Sequence, residues 1–464
     1  MRSFPLDFQL KGFLPLIIIC LICSNAFSEG SRLRLRTLVQ PTDDPFYTPP
    51  YGYESTAPGT ILRSRPVPNQ LALLGIAPVN VSAAYQLLYR STDSTGDPQA
   101  TVTTIIIPYN ATPTKLLSFQ IAEDSASPNC PPSYTLQDGT GILDAGSATI
   151  EIFYIVAALN QGWIVNVPDY EGPQAAFPSG IQAGQATLDS VRAALASGDI
   201  TGISSDAVYQ MWGYSGGSIA SEWAAELAPT YAPELNFAGM AIGGLITSLN
   251  SSLYAINGGI FAGFAAASVM GLASGYPYVQ DLLNQQLTPS TAAAFTNARN
   301  MCLDNLILSY AFQDMFGYFQ NHGAALSLPE VQTILNETGV MGQHGVPQMP
   351  IFAYKAVGDE IAPINGSDAL IAKLCSQGAN IQYVRDLVGE HATETIFGAG
   401  DAFVWVKERF DGIPAPVGCT TTNVSLDALN PAAIEFFGSA FVEAVTAILD
   451  SPIGPTLALK KKKA

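Results

Sequence analysis

The sequence predicts an α/β protein, a sheet with helices on both faces. Three observations carry this reading. Short β-rich runs alternate with longer helical runs along most of the chain. Hydrophobic residues make up 48% of the sequence and charged ones only 12%, the balance of a folded chain with a large core. A length of 464 residues suits one large domain with insertions, or two or three smaller ones.

The N-terminus comes first. Residues 1–28 read as a secretory signal: Arg2 and Lys11 supply positive charge, FLPLIIICLIC (13–23) is the apolar stretch and AFS (26–28) offers small residues for cleavage. The apolar run is too short to span a bilayer comfortably, so a cleaved signal is expected rather than an anchor. Cys20 and Cys23 would leave with it. Residues 29–60 are rich in Arg, Pro and Thr and are expected to wrap the surface; SRLRLR (31–36) reads either as a processing site or as a plain basic loop.

The alternation then begins. AAYQLLYRS (83–91), ATVTTIIIPYN (100–110) and KLLSFQIAED (115–124) are predicted strands, and LDAGSATIEIFYIVAALNQ (143–161) a helix. GWIVNVPDYEG (162–172) is a buried strand running into a loop, and GIQAGQATLDSVRAAL (180–195) is helical. DAVYQMW (206–212) and GSIASEWAAELA (217–228) are the next strand and helix. NFAGMAIGG (236–244), MPIFAYKAVGD (349–359) and IQYVRDLV (381–388) are further strands. No internal repeat is visible.

One interval breaks the rhythm. From Leu235 to Gln280 there is no charged residue and no histidine, and GGIFAGFAAASVMGLASGY (258–276) is nearly all small or apolar. Three readings fit it: a membrane span at the short limit, a buried helix, or a helical insertion over about 245–345 that caps the sheet with an apolar surface. The last would suit a lipid substrate. Residues 29–244 and 346–464 are then the two parts of the core.

Charge and cysteines narrow the function. A formal net charge of −18 repels nucleic-acid phosphates and leaves neutral substrates or mildly acidic surroundings. After signal removal Cys130, Cys302, Cys375 and Cys419 remain; in an oxidising compartment they suggest two disulfides, with three possible pairings. Sequons at Asn80, Asn110, Asn250, Asn336, Asn365 and Asn423 fit a glycosylated secreted protein. KKKKA at the C-terminus follows no hydrophobic tail, so it reads as a solvated end and not a lipid anchor. No H-E-x-x-H and no histidine cluster is present, so no metal or other cofactor is expected.

The chemistry centres on MWGYSGGSIASEW (211–223). A G-x-S-x-G match alone is weak in a Gly-rich chain, but Ser215 falls between a predicted strand and a predicted helix, the context of a nucleophile elbow. The turn is tight and strained, and Gly213 and Gly217 supply the small neighbours it needs. The Gly216 N–H would sit at a helix N-terminus, where a developing negative charge is favoured.

A serine needs a base, and the chain has three histidines. His322 lies in the insertion and His344 in a Gly-rich loop. His391, in GEHATE, directly follows a predicted strand and comes after Ser215, so it is the expected base. The third member orients the imidazole. Asp359, ending IFAYKAVGD, gives the order Ser, Asp, His of an α/β-hydrolase. Its rivals are Glu360, expected to point elsewhere, and Asp386, expected within a strand. No HGGG-type loop precedes the elbow. AEDSAS (122–127) stands at the corresponding place, where Asp124 would serve through its backbone N–H or, if protonated, its side chain.

Together GYSGG, GDEIAP, GEH, PDYEG and AEDS resemble the secretory lipases of fungi, the lipase A type, over about residues 40 to 450. The resemblance implies an α/β-hydrolase fold with a helical cap and a C-terminal flap, Ser215, Asp359 and His391 as triad, and Asp124 with Gly216 as oxyanion hole. It implies the pairings Cys130–Cys302, tying core to cap, and Cys375–Cys419. It implies hydrolysis of triacylglycerols and other carboxylic esters at an oil–water interface, with no metal. The rivals are an esterase for short soluble esters and a hydrolase-fold protein that only binds apolar ligands.

Overall fold

The β-rich runs join into one ten-stranded sheet. In chain order its strands are β1 (Ile61–Pro66), β2 (Ala83–Thr92), β3 (Pro98–Ile107), β4 (Lys115–Gln120), β5 (Ile164–Pro168), β6 (Val208–Tyr214), β7 (Gly239–Gly243), β8 (Ile351–Ala356), β9 (Ile381–Asp386) and β10 (Thr420–Val424). Their spatial order is β1-β2-β3-β5-β4-β6-β7-β8-β9-β10. The pairs from β5 onward are parallel; β1, β2 and β3 pair antiparallel. This computed structural model describes residues 38–425, apart from residues 74, 76, 142, 145 and 147. The expected signal segment, SRLRLR and the KKKKA tail lie outside the described residues, as does an expected C-terminal helix.

The helices are α1 (Ala148–Asn160), α2 (Gly180–Ala196), α3 (Gly216–Tyr231), α4 (Leu249–Ile256), α5 (Gly263–Gly275), α6 (Pro277–Gln286), α7 (Leu303–Tyr310), α8 (Pro329–Thr338), α9 (Ile364–Ser376), α10 (His391–Phe397) and α11 (Ala399–Phe410), with shorter turns between them. Period-2 alternation sends neighbouring strand residues to opposite faces. On β6, Tyr209 and Met211 join a core with Leu188 of α2 and Trp223 of α3. Trp212 and Tyr214 join the core of the other face with Ile155 of α1 and Phe403 of α11. There Trp212 stacks on Tyr154 at 5.4 Å and meets Phe119 edge-on at 5.7 Å. Burying each such ring is worth roughly 2–3 kcal/mol.

Among the predicted strands that end early, two bear on the site. Residues 121–124 leave the sheet after Gln120, because three consecutive N–H groups there bond side chains and not a strand. The run at 349–359 stops at Ala356, where the chain turns to present Asp359. Conversely β6 continues to Tyr214, up to the residue before Ser215.

The uncharged interval holds β7, α4 and α5. Helix α5 has 13 residues, and among the described residues no helix is long and apolar enough to cross a membrane. Its glycines serve close packing: a Cβ on Gly271 would lie 2.0 Å from the Phe177 carbonyl oxygen. Between β7 and β8 the labelled elements are all helices. The disulfide Cys130–Cys302 ties this segment to the loop after β4, and Cys375–Cys419 ties α9 to the start of β10.

Where the helical segment returns to the sheet, one buried carboxylate holds it. Glu226 of α3, fully buried, accepts the backbone N–H of Gly342 and, at 2.7 Å, that of His344. Truncation strands two donors in the interior. Glu226→Ala is expected to lower the unfolding free energy by about 2–5 kcal/mol, read as a shifted urea midpoint with an unchanged slope.

Candidate active site

The sheet register builds the site. Strand β4 pairs with β6 so that Gln120 lies opposite Gly213, which sets the end of β4 beside the turn carrying Ser215. Strand β6 stops at Tyr214 and α3 begins at Gly216, leaving Ser215 alone in the turn at φ 52° and ψ −119°. Such backbone costs on the order of 1–3 kcal/mol and persists only where its surroundings enforce it. The enforcement is steric. A Cβ on Gly217 would lie 1.9 Å from the Gln120 carbonyl oxygen, and one on Gly213 would lie 2.1 Å from that of Gly217.

His391 opens α10 behind a capping box formed by Glu390 and Thr393. Its Nε2 lies 2.8 Å from Ser215 Oγ and its Nδ1 lies 2.7 Å from Asp359 Oδ2. Asp359 Oδ1 accepts the N–H groups of Ile361 at 2.9 Å and Ala362 at 2.7 Å. Burial alone would raise the Asp359 carboxyl. His391 and then Lys355 outweigh it and hold the group well below the usual carboxylate range. A carboxylate can only accept, so the proton between the two sits on Nδ1 and leaves Nε2 free to accept from Ser215.

The rivals of Asp359 have other tasks. Glu360 does not point elsewhere: its Oε2 accepts the backbone N–H of His391 at 2.7 Å, because the loops after β8 and β9 lie side by side. Asp386 ends β9, where Oδ1 accepts from Val388 N–H. His322 is exposed and pairs with Asp314, while the His344 ring lies against Trp223. Neither contacts Ser215.

On the other side of Ser215 stands Asp124, also in left-handed backbone at φ 49°. Its N–H donates to Glu171 Oε1 at 3.1 Å. Its Oδ1 is buried, has no hydrogen-bond partner, and is the nearest heavy atom to the Cβ position of Gly216, at 1.9 Å. Burial raises the Asp124 carboxyl to about 7, against a smaller lowering by His391. Gly216, in the first turn of α3, has an N–H without an intrahelical partner.

A model of the secretory lipases matches residues 141–418. Lipase A of Arthroderma benhamiae is 43% identical over 424 residues, which span 90% of each chain. The chain belongs to the secretory lipase family. Candida antarctica lipase A in its closed state shares its α/β-hydrolase architecture with a TM-score of 0.78 and 31% identity, covering 90% of this chain and 99% of that one. A relative from Fusarium sporotrichioides, named trichothecene C-3 esterase, is 38% identical over 83% of this chain and 88% of its own. This lipase is accordingly a carboxylic ester hydrolase.

Of the sequons, Asn110, Asn336, Asn365 and Asn423 are exposed in this lipase, and Asn80 and Asn250 half-buried. Sequence reasoning passed over Lys355. It is fully buried in β8 and donates to Asp359 Oδ2 at 2.7 Å and to the Leu245 carbonyl at 3.0 Å. The signal was there: one lysine inside the apolar run MPIFAYKAVGD. Burial lowers its pKa, partly offset by Asp359. Breaking a buried pair leaves the other charge uncompensated. Lys355→Met is expected to cost about 3–5 kcal/mol in stability, measured by chemical denaturation.

Proposed function

We propose that this chain is a secreted triacylglycerol lipase in which Ser215, His391 and Asp359 carry out acyl transfer. The unbroken relay of short contacts from Ser215 Oγ through His391 to Asp359, at the ends of strands β6, β8 and β9, carries the reading. Ser215 attacks the ester carbonyl while His391 Nε2 takes its proton, and Asp359 stabilises the imidazolium. The Gly216 N–H and the protonated carboxyl of Asp124 donate to the oxyanion. The alcohol leaves with the proton from His391, and water activated by the same nitrogen releases the acid.

Asp124 acts through its side chain in this scheme, since its N–H is engaged by Glu171. It donates only while protonated, so activity should fall as pH rises through about 7, the value to which burial lifts the group. Asp124→Asn keeps a donor at every pH, and its profile should lose that alkaline limb.

Residues 245–345 serve as the cap. They line a partly open apolar pocket, with residues such as Leu253, Val269, Leu283, Phe295 and Leu335 in its walls. None of the relay residues lines it. Its apolar walls support a long-acyl substrate. Ser215 is only 7% exposed, which supports movement of the covering segments at a lipid surface before substrate enters. Secretion is supported by the signal-like N-terminus and by two disulfides.

An esterase reading is favoured by one observation, the similarity to a relative named trichothecene C-3 esterase. Fatty-acid release from a triolein emulsion, beside hydrolysis of p-nitrophenyl butyrate, separates the two. Emulsion cleavage supports the lipase, and cleavage of the soluble ester alone would support the esterase. Ser215→Ala should lower kcat on either by about 10⁴-fold or more. A variant as active as the wild type would remove Ser215 from the mechanism.

A further inference from the structure

Three consecutive backbone N–H groups lead into the proposed oxyanion donor, and each is caught by a side chain from outside its loop. Ala122 N–H donates to Glu151 Oε2 of α1 at 2.9 Å, Glu123 N–H to the Tyr170 hydroxyl at 3.4 Å, and Asp124 N–H to Glu171 Oε1 at 3.1 Å. Tyr170 and Glu171 follow β5, and residues 122–124 follow β4, its parallel neighbour. The two loops therefore emerge side by side at the same edge of the sheet.

We infer that Glu171 is a positioning residue for the reaction: by holding the Asp124 N–H it fixes Asp124 in left-handed backbone and turns its carboxyl, not its amide, toward the oxyanion. The inference rests on the function proposed above. Without the Glu171 acceptor, the one hydrogen bond described for the Asp124 N–H is gone, and a backbone relaxed from φ 49° would swing Oδ1 away from Gly216. Glu171 is itself fixed. Its carbonyl accepts from Gln182 Nε2 of α2 and from Ala176 N–H at 2.8 Å, and Gln182 Oε1 accepts from Ser94 N–H at 3.1 Å.

Glu171 works as a neutral acceptor. The titratable groups facing it are Glu123, Asp124 and Tyr170, with Glu151 beyond on α1. Burial first, then Glu123 and Asp124, push its carboxyl well above the ordinary range. A neutral acid keeps a carbonyl oxygen for the Asp124 N–H, and so does a glutamine amide. The role is therefore one that glutamine fills and alanine does not.

The test is kcat and KM for p-nitrophenyl butyrate across pH, for wild type, Glu171→Ala and Glu171→Gln, each with its melting temperature. Glu171→Ala should lose about 10- to 100-fold in kcat with KM within about twofold, and Glu171→Gln should recover kcat to within about threefold. The alkaline limb should stay in place in Glu171→Gln. Unchanged kcat in Glu171→Ala, an equal loss in both variants, or a loss confined to KM would overturn the role. If Glu171→Ala does not fold, Glu171→Gln decides. Retained kcat with an unmoved limb supports the neutral acceptor; a limb moved by about one pH unit or a lost kcat overturns it. An inactive wild type would strike the hydrolase reading itself, whereas an active wild type with an equally active Glu171→Ala strikes only Glu171.

Discussion

The close approach of α3 to the end of β4 is the constraint on which the site depends. Gly217 meets the Gln120 carbonyl with no room for a Cβ, so the helix starts almost against the sheet. That leaves the chain a single residue in which to turn from strand to helix, and that residue is Ser215. The same contact sets the end of β4, and thereby Asp124, across from the first turn of α3. The proposed nucleophile and the proposed anion-stabilising group thus arrive together from one packing event, without any direct bond between them.

Around that contact the protein spends stability on acids kept out of water. Asp359 is a buried carboxylate matched by Lys355, His391 and two backbone donors. Glu123, Glu151 and Glu171 have no such cation in their reach and rise well above the ordinary carboxylate range, burial being the first cause for each. Their use is directional. A carboxyl in a low-dielectric site offers an acceptor of fixed orientation, and the backbone of residues 122–124 is shaped by two of them, Glu151 and Glu171, together with the Tyr170 hydroxyl. The helical segment is tied to this region from the far side by Cys130–Cys302 and by Ser125, whose hydroxyl donates to the Met301 carbonyl at 2.9 Å.

Much of this was legible locally. Strands β2 to β9 announce themselves by apolar runs, and Ser215 by a glycine pattern at a strand-to-helix junction. Among three histidines, position after a strand singled out His391. What escaped was set by distance in sequence. Glu226 bonds backbone 116 residues away, and Glu171 bonds Asp124 across 47. No local pattern distinguishes such a glutamate from one facing solvent. Strand β10 was missed for a different reason. TTTNV is polar and exposed, and it earns its place only by pairing with β9 at the sheet edge. The missing HGGG loop led reasoning to Asp124, but the proposal of its carboxyl over its amide rests on the Glu171 contact, which no local pattern announces.

The buried acids also change how the molecule carries charge. Burial raises the carboxyls of Glu123, Glu151, Glu171 and Glu222 well above the ordinary range, so folding favours protons on groups that the formal charge of −18 counts as ionised. The unfolded chain would release those protons above about pH 4. Folding is thus coupled to proton uptake, and a group with a raised folded pKa weakens the native state as pH rises beyond its unfolded value. Asp359 acts oppositely, its contribution present above its unfolded value and lost on acidification. Among the buried acids described, several lie on one side of that balance and Asp359 on the other, so the fold is expected to hold together best in mildly acidic surroundings.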